Sequence, residues 1–213
     1  MDLQEAIVSV PAIMMAVILH EYAHGWMAYK MGDTTAKEHG RLTLNPIPHI
    51  DPLGTVILPG LLMLVGSPIL FGWAKPVPIN PLRFRDLRLG TFLVSIAGIG
   101  MNLALALLFA MLFRIIYGGY LDFLGDPVLV PLALFAGKAV LINLVLAFFN
   151  AIPIPPLDGS RVLMSFFSLR YWELFYRFEM YGFLVITLLL FTGILGRLLF
   201  PPILFFWNTL LGR

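Results

Sequence analysis

The chain has 213 residues, of which 60% are hydrophobic and only 12% charged, with a mean hydropathy of +0.91 and a formal net charge of +2. A soluble domain carries about 25% charged residues and could not hide this much apolar surface, so the composition specifies a membrane protein, and the small, dispersed charge argues against nucleic acid as a partner. The absence of Cys removes disulfides, thiol nucleophiles and cysteine-zinc sites, which leaves His, Asp and Glu as the only strong metal ligands.

The first apolar run, Ile7 to Tyr29, is long enough to cross roughly 30 Å of hydrocarbon as a helix. No basic stretch precedes it and no A-x-A cleavage site follows, so it is read as a retained helix and not a signal peptide. Inside it stands His20-Glu21-Tyr22-Ala23-His24, an H-E-x-x-H pattern where ionisable groups are costly. Residues four apart share a helix face, so His20 and His24 can bind one metal ion while Glu21 stands beside them as a base for water.

Asp2 and Glu5 precede this helix, whereas Lys30, Lys37 and Arg41 follow it, so the positive-inside rule places its C-terminal end in the cytoplasm. His24 lies six residues before Lys30, hence ~9 Å along the helix from that boundary, within the membrane on its cytoplasmic side. The next stretch, Leu53 to Trp73, is interrupted by Pro59, Gly60, Gly66 and Pro68 and has basic residues on both flanks, the second flank being Lys75, Arg83, Arg85 and Arg88. Two cytoplasmic flanks require a segment that dips in and returns; an ordinary span is the alternative. Before it, Asn45-Pro46-Ile47-Pro48 and Asp51-Pro52 have turn chemistry, with His49 or Asp51 satisfying local backbone groups in preference to forming a second metal site. After it, Lys75-Pro76-Val77-Pro78-Ile79-Asn80 is biased toward extended backbone by its prolines, which suits either a surface turn or an edge that clamps an unwound substrate.

Two clean spans follow, Gly90 to Tyr117 and Pro127 to Ala151, joined by a turn containing Gly118, Gly119, Asp122, Gly125 and Asp126. A last run from Tyr181 to Leu211 is expected to break at Gly193, Gly196 and Pro201-Pro202. Arg114 and Arg197, near the ends of their runs, are expected to snorkel, and Trp26, Trp73, Trp172 and Trp207 to anchor at the membrane interfaces. With no repeat and no long linker, residues 1–213 read as a single membrane-embedded domain. The fold class is an all-α polytopic membrane protein, a bundle of four to six transmembrane segments with a re-entrant or extended segment after the first helix.

A catalytic zinc takes three protein ligands plus water, so two His leave one ligand to find. Asp158 is the candidate, in Asn150-Ala151-Ile152-Pro153-Ile154-Pro155-Pro156-Leu157-Asp158-Gly159, where prolines break the fourth run at the cytoplasmic end that the first helix also reaches. The competing role for Asp158 is an N-cap after a Pro-rich break.

These motifs together resemble the site-2 protease family of intramembrane zinc peptidases, in its compact form without an added regulatory domain. The likeness rests on His20, Glu21 and His24, on the Asn-Pro-x-x-His-x-Asp-Pro stretch from Asn45 to Pro52, on Gly72-Trp73-Ala74-Lys75-Pro76-Val77-Pro78-Ile79-Asn80, and on Asn150 through Leu157-Asp158-Gly159. It departs at Ala97-Gly98-Ile99-Gly100-Met101-Asn102, where the family usually has Ala-Gly-Pro-x-x-Asn; the small residues and Asn102 remain, so close approach to the zinc helix is retained.

Residue chemistry and resemblance agree on one Zn2+ ion held by His20, His24 and Asp158, with Glu21 as general base; the resemblance implies transmembrane protein substrates within the lipid bilayer. The resemblance suggests Asn150 as a donor to the developing oxyanion; capping the broken helix is its other role. Lys75, Val77, Ile79, Asn80 and Asn102 are the candidate substrate contacts. The resemblance also implies an integral protein of a prokaryotic cell membrane, with the active site toward the cytoplasmic side. The alternatives are a non-proteolytic scaffold retaining the fold, which has no need of Glu21 or the ligands, and a small-molecule zinc hydrolase or transporter; a transporter would need further ligands along a path.

Overall fold

The computed structural model describes residues 3–57, 60–61, 64 and 74–212. Among the described residues, seven helices carry the fold: α1 Leu3–Met31, α2 Thr35–Glu38, α3 Leu87–Tyr117, α4 Asp126–Asn150, α5 Asp158–Ser165, α6 Trp172–Phe191 and α7 Ile194–Leu211. Among the described residues, four helical stretches, Ile7–Met31, Leu87–Tyr117, Asp126–Asn150 and Ile194–Leu211, are long and apolar enough to cross a membrane. The pair Leu169–Glu179 and Tyr181–Phe191, bent by 55°, makes a fifth if it is one span. The protein is therefore an all-α polytopic membrane protein, as its composition requires, because in hydrocarbon a helix satisfies its own backbone.

Local chemistry sets the boundaries. Asp86 opens α3 by accepting from the Leu89 amide at 2.9 Å, and Asn80 caps the short turn Pro81–Arg83 through the Leu82 amide. The last apolar run divides at Gly193, whose φ of +70° is left-handed, so α6 ends and α7 begins there. Pro201 and Pro202, expected to break that run, lie inside α7. Proline's fixed φ is helical; each ring deletes one backbone hydrogen bond, which a membrane helix tolerates.

The spans interlock through small residues. α3 packs along α4, α1 lies against both, α5 sits on α3, and α7 packs on α4. The core they share contains Ala12, Ala106, Ala110, Ala136 and Ala139, with Phe109, Phe113, Val140, Leu144 and Ile203 filling between them. Lipid is as apolar as Leu, so association depends on close backbone approach and on interhelical hydrogen bonds, and alanine permits the first. Arg114 does not snorkel: its Nε and Nη2 donate to the Leu210 and Thr209 carbonyls at 2.7 and 2.6 Å, closing the C-terminal end of α7 where a cation is favoured. Trp172 and Trp207 also differ from the expected interfacial anchors. The first is 5% exposed, and the second donates from Nε1 to the Gly137 carbonyl inside the bundle.

The re-entrant segment expected over 53–73 lies largely outside the described residues, as do Gly72 and Trp73 of the following motif. Its two flanks are described, and they meet. Asp33 accepts from the Asn80 amide at 2.7 Å, the Arg85 amide donates to the Met31 carbonyl at 2.9 Å, and Arg83 pairs with Glu38 at 2.9 Å. The Thr34 hydroxyl and the Arg83 guanidinium hold the Glu38 carboxyl below its ordinary value. The loop after α1 and the segment before α3 thus join at one end of the bundle. Epitope tags placed in 32–40 and in 83–88 should be reached from the same face of sealed vesicles; access from opposite faces would contradict the joint.

Candidate metal centre

The H-E-x-x-H face of α1 is turned into the bundle, where His20 and His24 are 8% and 7% exposed. Each imidazole is oriented from behind by α3. His24 Nδ1 bonds to the Val94 carbonyl at 2.7 Å, and a carbonyl only accepts, so the proton is on Nδ1. His20 Nδ1 meets Asn102 Oδ1 at 2.7 Å, while Asn102 Nδ2 donates to the Ala16 carbonyl and to Asn143 Oδ1; Asn102 must accept from His20. In their neutral forms both rings therefore present an Nε2 lone pair to the same point.

The third group arrives from the proline-broken end of α4. Chain 151–157 is not helical, and the prolines there supply no amide to continue the ladder. Asp158 becomes the first residue of α5 with Leu157 as its N-cap, so the carboxylate is not spent as a cap. Its Oδ2 lies 3.3 Å from His20 Nε2 and 3.2 Å from His24 Nε2, and the two Nε2 atoms are 2.9 Å apart. That Oδ2 is buried without a hydrogen-bond partner among the described residues. Three electron-pair donors converging with no proton between them repel one another; a cation at their centre reverses the sign. Donors on a tetrahedral ion with zinc-type bonds stand about 3.3–3.6 Å apart, which two of the three separations approach and the third undershoots by a few tenths. The set fits a divalent metal, and it is the one such cluster of His, Asp and Glu among the described residues.

Two glycines make the space. A Cβ on Gly98 would fall 2.5 Å from His24 Cε1 and 2.6 Å from His20 Cε1, so α3 can back both rings only without a side chain there. A Cβ on Gly159 would lie 2.5 Å from the Ala151 carbonyl carbon, so the Leu-Asp-Gly triplet needs glycine for α5 to turn back onto the end of α4.

Glu21 accepts from the Val77 amide through Oε2 at 2.8 Å, which puts the extended segment 75–80 beside the centre. Within it Val77 is buried, Lys75 is exposed, and Ile79 and Asn80 are intermediate. Asn102, expected among the substrate contacts, is instead fully buried behind His20 with its amide spent on three partners, a ligand-orienting position. Asn150 is partly buried on the last turn of α4, where Nδ2 donates to the Leu146 carbonyl at 3.0 Å; its second N–H has no partner among the described residues. Asp51 caps the Leu53 and Gly54 amides at 2.9 and 2.8 Å, and His49 bonds the Thr43 carbonyl, so both serve the local backbone.

Sequence reasoning did not find Asn143, Asp33 or Arg41. Asn143 carried a signal, since it lies seven residues before Asn150 on the same face of an apolar helix; Arg41 signalled only orientation, and Asp33 carried no signal. If the geometry behind the rings sets metal affinity, Gly98→Ala and Asn102→Leu should each weaken zinc binding by about 10–100-fold while still eluting as monodisperse protein, measured by competition with a chelating dye.

Comparison with known proteins gives the chain its relatives. Residues 9–193 match Peptidase family M50. The chain is 39% identical over 189 residues to the Bacillus subtilis candidate zinc metalloprotease YwhC, covering 89% of this chain and 82% of that protein. To the candidate zinc metalloprotease Rip2 of Mycolicibacterium smegmatis it is 28% identical over 197 residues, covering 92% and 71%. Rip2 of Mycobacterium tuberculosis is 33% identical over 152 residues, covering 70% and 53%. No solved structure matches the chain. With the family match spanning most of its length and a relative this similar, the chain belongs to peptidase family M50, the site-2 proteases.

Proposed function

We propose that residues 1–213 form one membrane-embedded zinc endopeptidase domain that hydrolyses peptide bonds in or near transmembrane segments of protein substrates. The observation that carries this reading is the convergence of His20 Nε2, His24 Nε2 and Asp158 Oδ2 within 3.3 Å, with Glu21 on the adjoining helical position. The relatives' names, which specify zinc metalloproteases, support zinc as the metal, and the one cluster among the described residues supports one ion.

His20, His24 and Asp158 would hold the ion. When bound, zinc supplies a Lewis acid for the scissile carbonyl and lowers the pKa of a water toward about 7. Glu21 takes the proton from the attacking water and returns it to the amide nitrogen as the C–N bond breaks. Asn150 turns its open N–H toward the developing oxyanion. The length and apolar character of α1 support a reaction inside the membrane, the basic residues after α1 support a site toward the cytoplasmic side, and the bacterial relatives support a prokaryotic cell membrane.

A helical substrate must unwind before its carbonyls can be reached, and segment 75–80 supplies the receiving edge. Pro76 and Pro78 have no amide, and the amides of Lys75, Val77 and Asn80 are taken by the His49 carbonyl, Glu21 and Asp33. The Ile79 N–H and the Val77 and Ile79 carbonyls have no backbone partner among the described residues, leaving one edge open for an added strand. Lys75, Val77, Ile79 and Asn80 are the substrate-binding residues of this proposal, and Asn102 positions His20.

Detergent-purified protein should carry about one zinc per chain by elemental analysis, with Asp158→Ala losing it while still folded; a folded wild type that takes up no zinc after supplementation would end the peptidase reading. Glu21→Gln should keep its zinc and lose ~10²–10⁴-fold in cleavage of a transmembrane substrate. Ile79→Pro removes the free amide of the open edge, and with zinc retained its cleavage rate should fall at least tenfold; full activity would remove the clamp.

A further inference from the structure

Among the described residues, only one carboxylate and one guanidinium are buried outside the histidine pair: Asp33, 0% exposed, and Arg41, 6% exposed. A buried charge is expensive unless its hydrogen-bonding capacity is used, and neither residue has a salt bridge among the described residues. Both direct their charge at the backbone of the same six residues. Arg41 Nη2 donates to the Lys75 carbonyl at 2.6 Å and to the Pro76 carbonyl at 3.3 Å. Asp33 Oδ2 accepts from the Asn80 amide at 2.7 Å, while its Oδ1 accepts from the Thr35 amide at 3.0 Å and from the Thr35 hydroxyl, fixing the carboxylate to the start of α2. Segment 75–80 is thus tied at both ends, and between the ties the Val77 amide reaches Glu21.

We propose that Asp33 and Arg41 are positioning residues: they stretch segment 75–80 between two buried charges so that the Val77 N–H orients the Glu21 carboxylate toward the metal centre. The inference rests on the endopeptidase reading and adds to it the means by which the base and the substrate edge are kept in one register. Glu21 has the Val77 amide as its hydrogen-bond partner, so displacement of the segment displaces the base. Arg41 reaches two consecutive carbonyls through one nitrogen, Nη2, while its Nε is buried without a hydrogen-bond partner among the described residues, so its contribution is a permanent charge on a side chain long enough to reach the segment. An ionised carboxylate is acceptor-only and can take the three donors that converge on Asp33, whereas an amide would turn an N–H toward one of them.

The natural absence of Cys makes Val77→Cys a single reporter thiol at a position only 6% exposed. In zinc-loaded protein, Asp33→Ala and Arg41→Ala should each speed N-ethylmaleimide labelling of that thiol at least tenfold. In the same variants without the reporter, zinc content should be unchanged, and kcat for a fluorogenic transmembrane peptide should fall at least tenfold with KM less affected. Arg41→Lys should lie between Ala and wild type in both readouts. If the alanine variants do not fold, Asp33→Asn and Arg41→Lys, which remove fewer bonds, carry the same comparison. Labelling as slow as in the parent would overturn the anchoring, and fast labelling with undiminished kcat would overturn its link to the base. A zinc-loaded wild type that cleaves no peptide would count against the endopeptidase reading, and the labelling rates alone would then decide the anchoring.

Discussion

Everything in this bundle is arranged around a repulsion. Two imidazole nitrogens and a carboxylate oxygen are brought within 3.3 Å of one another with their lone pairs facing inward. That arrangement is unfavourable in an apolar medium unless a cation joins it, and the surrounding helices have to hold it in advance. Val94 and Asn102 on α3 take the outward Nδ1 protons, so neither ring can relieve the clash by turning its N–H inward. Gly98 removes the one side chain that would stand in the way. The non-helical chain at 151–157 brings Asp158 from α4 to α1 without spending its carboxylate on a cap. Three helices and a turn are committed to placing three atoms.

The polar groups behind the centre form a continuous path. His20 leads to Asn102, Asn102 to Asn143 and to the Ala16 carbonyl, and Asn143 to the Ala139 carbonyl on its own helix. Both asparagines are fully buried, and each amide is engaged through its oxygen and its nitrogen. In hydrocarbon such a network both rigidifies and specifies, because slipping any of α1, α3 or α4 by one turn would strand several amides at once. The same bonds that orient a ligand also fix the register of the bundle.

The parts of this arrangement that could be read from the sequence are those where chemistry and environment disagree. H-E-x-x-H in an apolar run is such a place, and Asp158 followed from asking what a two-histidine site still lacks. Glu21 and the prolines of 75–80 were legible separately; their meeting through the Val77 amide was not, because a backbone bond carries no residue signature. Arg41 spoke only for orientation and Asp33 for nothing, since charged residues near a span end are normally solvated, and nothing in their spacing tells that the chain returns to cover them. The division of the last run at Gly193, with Pro201 and Pro202 passing through a helix, turns on one left-handed residue among several candidate breakers. The burial of Trp172 depends on how a distant helix packs, which local composition does not encode.

The distribution of sizes in the core has a consequence for how this molecule can vary. Its interior is built heavily from alanine, while Leu108, Met111, Phe183, Leu188, Phe200 and Phe205 face outward. In a water-soluble protein the bulky apolar residues mark the core, and exchanging them is costly. Here the bulky residues meet a solvent that accepts any hydrocarbon shape, and the methyl groups between helices set the distances on which the centre depends. Tolerance to substitution therefore runs inside out: an outward Phe exchanged for Leu changes little, whereas one added methylene at Ala106 or Ala139 pushes two backbones apart. Drift in such a chain would accumulate among its largest side chains and leave its smallest ones in place.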